Sequence, residues 1–346
     1  MEAVIDLPEC RCQHESSSST LAATFNLLVV VLFLPLLSVI GVLFNILNIR
    51  VYSRRGDNAS VYLAALACSD VGVCLAGIFV ISADSLRAYS HPVDQLFVHL
   101  LPKTIPAGLF FQMLSVYITV LAAVDCFLYV SRGAHLNTRS IVYLVLVIVV
   151  YNAVQFWDLE AVQCASGETN VTQVELCPTE FRVSEPYVVY YKGYAYALFM
   201  AFLPFFFLSG LTIAIVYYMR RRPRTPYPLA TTSSSIPPSS PIVLLLVILL
   251  FLVCNITSLM VNIFEMFQIS LGTDAEAVLI DVGNLLVVVN ATANFLVYLA
   301  SDGNFAQDLR IVWRTNRCVE KHRPLCEDVK RFDMIDGMPL TGPTFL

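Results

Sequence analysis

One ionisable side chain lies deep inside an apolar segment of this chain. Asp70 follows the run Leu66-Ala67-Cys68-Ser69, and no lysine or arginine lies at the same depth to neutralise it. Because a charged group in an apolar environment is costly, its neighbours must satisfy it. Other apolar segments hold polar residues that we predict to join Asp70: Asn45, Ser115, Asn290 and Asn294. Two interpretations stay open: a pocket for water or a small cation such as sodium, or a structural hydrogen-bond network that joins helices.

Acidic residues are concentrated around the ends of certain apolar segments. Glu265 lies near the end of the apolar segment 241–269, with Asn262 one turn before it, and Asp281 lies near the start of the segment 275–300. Neighbouring connections add further carboxylates: Asp158, Glu160, Glu168, Glu175, Glu180, Glu185, Asp274 and Glu276. Their field would attract a cation towards the aromatic residues between the segments. The alternative is a solvated acidic surface, and Glu265 is the residue that we single out.

Motifs for catalysis are missing from the sequence. There is no His-Glu-x-x-His, no Gly-x-Ser-x-Gly and no Cys-x-x-Cys, and the five histidines lie outside the apolar segments or at their ends. Metal-assisted and nucleophilic catalysis depend on such clusters. We therefore expect a chain that is not an enzyme, with no metal, no cofactor and no nucleic-acid partner.

The elements that must position these residues are long apolar segments. The chain has 346 residues, 57% hydrophobic and 14% charged, whereas a soluble domain carries about 25% charged residues. An α-helix needs about 20 apolar residues to cross a bilayer. Seven segments approach this length: 21–52, 61–82, 104–130, 140–156, 187–219, 241–269 and 275–300. We predict an all-α fold, a seven-transmembrane helix bundle over residues 21–302.

The distribution of lysine and arginine predicts the orientation of the bundle. Basic residues are frequent in one set of connections and in the tail: Arg54, Arg55, Arg132, Arg139, Arg220, Arg221, Arg222, Arg224, Arg310, Arg314, Arg317, Lys321 and Arg323. The opposite set holds few: Arg11, Arg87, Lys103, Arg182 and Lys192. We predict that the basic end, called the inner end below, faces the cytosol, and that residues 1–20 lie outside. The linker 224–240, rich in Pro, Ser and Thr, is predicted to be a disordered third inner loop.

The second outer connection carries two predicted modifications. Asn170-Val171-Thr172 is a glycosylation sequon on the side that this topology requires. A disulfide between Cys164 and Cys177 is plausible in an oxidising compartment. A bridge from Cys10 or Cys12 to the same connection is an open alternative, because sequence cannot choose between pairings.

The stretch after the seventh segment has helical periodicity. Phe305, Leu309, Val312 and Trp313 recur at helical spacing between basic residues. We predict that residues 303–346 form a short amphipathic helix on the inner membrane surface, followed by a cytoplasmic tail. Cys318 is a candidate for palmitoylation, with a plain thiol as the alternative.

Several motifs resemble those of rhodopsin-like G-protein-coupled receptors, over almost the whole chain. They are Gly41-x-x-x-Asn45, Leu63-x-x-Leu66-Ala67-x-Ser69-Asp70, Asp125 at the end of the third segment, Pro204 in the fifth, and Asn294-x-x-x-Tyr298. Within that class the chain is similar to invertebrate FMRFamide-type neuropeptide receptors. The supporting stretches are 115–120, Tyr151-Asn152, Cys254-Asn255, 261–265 and 290–295.

The resemblance implies a multi-pass receptor of the plasma membrane that binds an extracellular peptide and signals to a heterotrimeric G protein. Arrestin and membrane lipid are further implied partners. A peptide ending in arginine and amidated phenylalanine would need an ion pair for its guanidinium and ring contacts for its phenylalanine. The candidate ligand-binding residues are Glu265, Asn262, Tyr117, Phe111, Tyr194 and Asp281.

Several positions depart from the wider class. The Asp-Arg-Tyr triplet that closes the third helix is Asp125-Cys126-Phe127 here, so a fixed charge is missing at the coupling surface. The cysteine expected at the top of the third helix is absent, with Leu101 near its place. Two interpretations stay open: coupling uses other basic groups, such as Arg132 and Arg220, or signalling is weak. The candidate coupling residues are Asp125, Cys126, Arg132, Arg220 and Tyr298.

Other functions remain as alternatives. Within the receptor class they are a chemosensory receptor for a small molecule and a decoy receptor that does not signal. A transporter or channel would show internal repeats and polar broken helices, which we do not find in this sequence. A retinal-binding opsin would need a lysine in the seventh segment, and 275–300 contains none.

Overall fold

The computed structural model of the protein describes residues 20–87, 89–165, 172–221, 241–267, 269 and 271–321. For several of these, including Cys164, Glu265 and 315–321, it describes only the backbone. Cys10, Cys12, the sequon at Asn170 and the predicted inner loop 224–240 lie outside the described residues.

Seven described helices are long and apolar enough to cross a membrane. A helix satisfies most of its backbone hydrogen bonds within itself, which is what a bilayer demands of a spanning segment. We call them span 1 to span 7 in chain order: Thr20–Tyr52, Asn58–Arg87, Leu101–Arg132, Ser140–Trp157, Tyr187–Arg221, Pro241–Met266 and Thr273–Ser301. The prediction of a seven-helix transmembrane bundle is confirmed.

Local chemistry explains where spans 2 and 3 differ from the predicted bounds. Span 2 begins at Asn58 because Asp57 caps it, and the Asp57 carboxylate accepts the backbone N–H of Ser60 at 3.1 Å. Span 3 begins at Leu101 with Pro102 in its first turn, where proline costs no hydrogen bond. It ends at Arg132, and the following Gly133 has a φ of 69°, the left-handed conformation that is usual after a helix C-terminus.

Three spans contain wider, π-helical stretches near their outer ends. They cover Leu27–Phe33 in span 1, Gly77–Ser82 in span 2, and Tyr187–Ala195 with Ala197–Phe202 in span 5. Such stretches reorient the side chains that follow them. Hydropathy predicts regular helices and does not show where these π-helical stretches occur.

Span 3 is the centre of the bundle and packs against spans 2, 4, 5 and 6. Its buried apolar residues, which lie on more than one side of the helix, include Met113, Val116, Ile118 and Val120. Span 4 lies at the periphery, and its exposed apolar face is available to lipid. That face includes Val142, Tyr143, Leu146, Val147 and Val150.

Small residues allow spans 1, 2 and 7 to approach closely. At Gly41 any added Cβ would collide with Thr292 of span 7 and Cys74 of span 2. Such small-residue contacts are the usual way in which transmembrane helices come together. The residues that surround Asp70 lie on these helices and on span 3.

Two elements outside the spans cover the outer end. A short helix, His91–Phe97, called the loop helix below, lies between spans 2 and 3. Strands β1, Leu159–Ala165, and β2, Thr172–Pro178, form an antiparallel hairpin between spans 4 and 5. The sequence analysis predicted neither element.

A helix follows span 7, as predicted, and extends from Phe305 to Lys321. Phe305 and Val312 are buried against the bundle, whereas Trp313 is 56% exposed on the side available to lipid. We call it the inner-surface helix. It continues beyond Trp313, the last of the four apolar residues on which the prediction is based.

Candidate functional site

Asp70 lies at the centre of a buried polar cluster that joins three spans. Ser115 Oγ donates to one carboxylate oxygen at 2.6 Å, and Asn294 Nδ2 donates to the other at 2.8 Å. The Asp70 side chain is fully buried. Asn294 Oδ1 is also buried and has no hydrogen-bond partner within the described part of the chain. An unsatisfied acceptor beside a carboxylate is a suitable environment for a cation or a water molecule.

The two remaining members of the predicted network lie apart from the carboxylate. Asn45 Nδ2 donates to the carbonyl oxygens of Ala291 at 2.8 Å and Gly41 at 3.0 Å, which fastens span 1 to span 7. Asn48, which the sequence analysis did not select, donates to Asn45 Oδ1 at 3.3 Å. Asn290 is partly buried on span 7, and the described residues that hold Asp70 are Ser115 and Asn294.

Three of the candidate ligand-binding residues have specific contacts near the outer end. Tyr117 donates its hydroxyl to the carbonyl oxygen of Phe199 at 2.9 Å and so joins spans 3 and 5. Asp281 Oδ2 accepts from Asn26 Nδ2 at 3.0 Å, between spans 7 and 1. Asn262 donates to a carbonyl of its own helix, that of Ser258, at 2.7 Å.

The other three candidates differ in how they are placed. Phe111 is half-buried, and its ring lies over Gly72 of span 2. Tyr194 is 60% exposed on span 5. Glu265 lies near the end of span 6, where only its backbone is described. Among the described side chains, no hydrogen bond or ring contact joins one candidate to another, so a single shared pocket remains a prediction.

Asp158, one of the acidic residues predicted at the outer end, forms a buried ion pair with Lys192. Asp158 is only 4% exposed, lies 2.8 Å from Lys192 Nζ and accepts a short hydrogen bond from the Tyr187 hydroxyl. Tyr187 stacks on Tyr191, with ring centroids 5.0 Å apart, and Tyr191 stacks on Tyr151 at 5.1 Å. This aromatic stack between spans 4 and 5 was not predicted, because its members are far apart in the sequence.

Cys177 is disulfide-bonded, but the hairpin register does not fit the predicted Cys164–Cys177 bridge. Cys177 lies opposite Glu160 and Cys164 lies opposite Gln173, so the two cysteines are four positions apart along the strands. Four residues of strand span about 13 Å, whereas a disulfide requires Cα atoms within about 7 Å. A bridge from Cys10 or Cys12 to this connection, the alternative that the sequence leaves open, stays a prediction.

A cavity opens at the inner end between spans 2, 3 and 6. Residues that line it include Asp57, Leu63, Asp125, Cys126, Tyr129, His135 and Leu244. Asp125 is buried, lies 3.1 Å from His135 Nδ1 and accepts the backbone N–H of Leu136 at 2.7 Å. Two of the predicted coupling residues, Asp125 and Cys126, therefore line this cavity.

The other predicted coupling residues lie elsewhere at the inner end. Arg132 and Arg220 are exposed at the ends of spans 3 and 5. Tyr298 is buried against Tyr52, with ring centroids 5.0 Å apart, and against Phe305 at 5.9 Å. Tyr298 thus fastens span 7 to span 1 and to the inner-surface helix.

A buried arginine at the inner end was missed by the sequence analysis. Arg55 donates to Asp302 at 2.6 Å and to Asp308 at 2.7 Å, and its guanidinium lies 5.0 Å from the Tyr52 ring centroid. Burial lowers the pKa of Arg55, but its hydrogen bonds to Asp302 and Asp308 outweigh this effect and raise the pKa above its ordinary value. The guanidinium therefore stays charged and connects span 1, span 7 and the inner-surface helix.

Seven spanning helices, a polar cluster midway through the bundle and a cavity at its arginine-rich end define a seven-helix membrane receptor. No family model matches the chain. The chain is 34% identical over 314 residues to the probable G-protein coupled receptor frpr-1 of Caenorhabditis elegans, covering 83% of this chain and 79% of that protein. It therefore belongs to the rhodopsin-like G-protein-coupled receptors, in the group of FMRFamide-type receptors.

Two further relatives support this membership. The FMRFamide receptor of Drosophila melanogaster is 23% identical over 82% of this chain and 53% of its own length. The FMRFamide peptide receptor frpr-18 of Caenorhabditis elegans is 28% identical over 81% of this chain and 68% of its own length. The chain is thus a multi-pass protein of the plasma membrane, and its family consists of receptors rather than enzymes.

Proposed function

We propose that this receptor binds an extracellular amidated neuropeptide that ends in arginine and phenylalanine amide, and that it activates a heterotrimeric G protein. The observation that carries the proposal is the similarity to relatives named as FMRFamide receptors, over more than four-fifths of this chain. Arrestin and membrane lipid belong to the same proposal as further partners.

The charges at the outer end narrow the choice of the group that binds the ligand arginine. Asp158 is neutralised by Lys192, and Arg87 engages both Asp84 and Asp94. Asp281 differs from these, since its described partner is the neutral amide of Asn26. A carboxylate without a cationic partner is the better acceptor for a guanidinium. Asp281 is therefore one acidic group that we assign to the peptide, and Glu265, which the sequence singles out, is the other.

The chemistry of the peptide supports an aromatic surrounding for these carboxylates. The phenylalanine side chain needs an apolar pocket, and Tyr117, Phe111 and Tyr194 are the aromatic residues that we assign to it. Asn262 lies one turn before Glu265 on span 6 and is assigned to the terminal amide, which both donates and accepts hydrogen bonds.

A double-mutant cycle between receptor and peptide tests the arginine contact. The probe is Phe-Met-Arg-Phe-amide, compared with the same peptide carrying neutral citrulline in place of arginine. In the native receptor we expect citrulline to lower potency about tenfold or more, because a charge-assisted hydrogen bond is lost. In a Glu265→Gln or Asp281→Asn receptor the same exchange should cost little, if that carboxylate is the partner.

Glu160→Gln is the matched control, since Glu160 is an exposed carboxylate of β1. It should retain the full penalty for citrulline. An undiminished penalty in both test variants would contradict the assignment of these carboxylates. Saturable binding without G-protein activation would instead support the decoy alternative.

The inner cavity is the part of the molecule that we assign to G-protein coupling. It combines buried Asp125 and Cys126 with apolar Val243 and Leu244 of span 6, and exposed Arg132 and Arg220 flank the inner end. A movement of span 6 away from span 3 would widen this cavity. Energy transfer between labelled G-protein subunits, measured with and without the peptide, tests the coupling directly.

Two modifications complete the proposal. Glycosylation at Asn170 fits the predicted outer position of the connection between spans 4 and 5, and removal of N-glycans should change the electrophoretic mobility of the native chain but not of an Asn170→Gln variant. Palmitoylation at Cys318 would add a second anchor to the inner-surface helix. Acyl-exchange labelling that is lost in Cys318→Ser would support it.

A further inference from the structure

Three polar side chains connect the outer end of span 2 to the hairpin. Arg87 Nε donates to Asp94 Oδ1 at 2.7 Å, and Arg87 Nη1 donates to Asp84 Oδ1 at 3.0 Å. The second oxygen of Asp94 accepts from Gln95 Nε2 at 3.2 Å. Asp94 and Gln95 lie on the loop helix, so the helix is fixed to the end of span 2 by a charged pair.

The Gln95 amide makes two hydrogen bonds to the backbone of a single residue in β2. Its Nε2 donates to the carbonyl oxygen of Val174 at 3.1 Å, and its Oε1 accepts the Val174 N–H at 3.1 Å. A residue on a neighbouring antiparallel strand exchanges the same pair of bonds. The side chain of Gln95 therefore takes the place of one residue of a third strand.

The position of Val174 in the hairpin shows what this contact does. Val174 lies opposite Gln163 in the register of β1 and β2. The N–H and C=O of one strand residue point to the same side, and those of Val174 point to Gln95, so they face away from β1. An open strand edge is a site of unwanted pairing, and Gln95 covers this edge at Val174.

Asp94 determines which way the Gln95 amide is oriented. A carboxylate can only accept hydrogen bonds, so the NH2 group of Gln95 must face it. Oε1 then faces the Val174 N–H, which is the orientation that pairs with β2. Arg87, Asp94 and Gln95 thus form one ordered chain of hydrogen bonds from span 2 to the hairpin.

We propose that Gln95, oriented by Asp94 and Arg87, is a positioning residue that holds the hairpin over the outer end of the bundle and slows the departure of the bound peptide. The hairpin contacts span 3 and the loop helix, and it connects spans 4 and 5. A ligand that enters between the outer ends of spans 3, 4 and 5 would pass beside it. This part of the inference rests on the proposed peptide function.

Dissociation of a fluorescent Phe-Met-Arg-Phe-amide from receptor in membranes is the first measurement. We expect Gln95→Ala to speed dissociation about tenfold, because two hydrogen bonds to β2 are lost. Gln95→Glu should speed it further, since it sets a second carboxylate against Asp94 and against the Val174 carbonyl. Gln163→Ala, at the exposed position opposite Val174, is the matched control and should leave the rate unchanged.

A double-mutant cycle separates a specific contact from general loosening. Val174→Pro removes the N–H that Gln95 Oε1 accepts and keeps the carbonyl at position 174, and proline is tolerated at a strand edge whose N–H faces away from the ladder. Gln95→Ala and Val174→Pro should each speed dissociation, and the double variant should be no worse than Gln95→Ala alone. Additive effects would overturn the proposed contact.

Hydrogen exchange of the unliganded receptor provides a test that needs no ligand. The peptide fragment that contains Val174 should exchange faster in Gln95→Ala than in the native protein, by about the same factor as the change in dissociation rate. Unchanged exchange would overturn the structural part of the proposal. If the exchange changes but the native receptor binds no amidated peptide, the proposed function fails and the role of Gln95 in holding the hairpin stands.

Discussion

His135 Nδ1 lies 3.1 Å from Oδ2 of Asp125, at the inner end of span 3. The same carboxylate accepts the backbone N–H of Leu136 at 2.7 Å, and the His135 ring stacks on Tyr129 with centroids 5.0 Å apart. Asp125 therefore fixes the connection between spans 3 and 4, the second inner loop, against span 3. In the wider class an arginine follows this aspartate, whereas position 126 of this chain is a buried cysteine. The Asp125 carboxylate therefore pairs with His135 and with the Leu136 N–H.

Loss of the His135 ring should raise signalling in the absence of ligand. His135→Ala removes both the contact to Asp125 and the stacking on Tyr129, so Asp125 keeps only its hydrogen bond from the Leu136 N–H to this loop. We expect basal G-protein activation to rise about two- to fivefold, as expected for the loss of a bond worth about 0.5–1 kcal/mol. Subunit dissociation measured at equal surface expression checks this.

The control for this prediction is His99→Ala, an exposed histidine at the outer end of the bundle. It should leave basal activation at the native level. Equal basal activation in both variants and the native receptor would show that the His135 contact does not restrain the inner loop.

Arg55 should be required for the stability of the inner end. Its side chain is 2% exposed and bonds Asp302, which is 5% exposed, and Asp308. Arg55→Gln leaves two carboxylates without their cation, and breaking one side of a buried pair costs about 3–5 kcal/mol. We expect a clear fall in the thermal midpoint of the detergent-solubilised receptor and reduced surface expression.

The neighbouring Arg54 offers a matched comparison, because it is the same residue type but exposed. Arg54→Gln should change the thermal midpoint little, since isolated surface charges contribute about 0–1 kcal/mol. Adding Asp302→Asn to Arg55→Gln should recover part of the loss, because one uncompensated charge is removed. A fall of equal size in Arg54→Gln and Arg55→Gln would argue against a specific stabilising role of the ion pairs between Arg55, Asp302 and Asp308.

Sodium should stabilise the native receptor through Asp70. The carboxylate has only neutral partners among the described side chains, Ser115 and Asn294, and the Asn294 Oδ1 beside it is an unsatisfied acceptor. A cation that binds only the folded state raises stability in proportion to RT ln(1 + [L]/Kd). The thermal midpoint should therefore be higher in NaCl than in choline chloride at equal ionic strength.

Asp70→Asn should abolish this difference, whereas Asp125→Asn, at another buried aspartate, should preserve it. If sodium stabilises native and Asp70→Asn receptors equally, the cluster is a structural network that joins helices. This outcome would decide between the two interpretations that the sequence leaves open.

The spans and the inner-surface helix were predictable because apolar length and helical periodicity are local properties of the sequence. The Asp70 cluster was also accessible, although Asp70 and Asn294 are 224 residues apart. Polar residues are rare in apolar segments, so a buried polar side chain such as Asp70 has few possible hydrogen-bond partners. For this reason a contact between residues far apart in the sequence can be predicted from a small number of candidate side chains.

Other contacts have no such signal. Arg55 is one of many arginines at the inner end, and its partners lie 247 and 253 residues further along the chain. Gln95 recognises the backbone of Val174, so the identity of its partner side chain carries no information. The hairpin register that excludes a Cys164–Cys177 bridge depends on strand pairing, which the spacing of the cysteines does not determine.

Gly72 should be necessary for the position of Phe111. A Cβ added at Gly72 would coincide with the Phe111 ring across the interface of spans 2 and 3. Gly72→Ala must therefore displace the ring, and overpacking of this kind costs about 1–3 kcal/mol. We expect a lower thermal midpoint and, because Phe111 is assigned to the peptide phenylalanine, a loss of peptide potency at a temperature at which the variant remains folded.

Gly210→Ala, where the added Cβ meets no atom within 4 Å, should show neither effect. Adding Phe111→Leu to Gly72→Ala should restore stability by making room for the methyl group, but it should not restore potency if the aromatic ring itself contacts the ligand. Recovery of both properties in the double variant would confine Phe111 to a packing role and remove it from the ligand site.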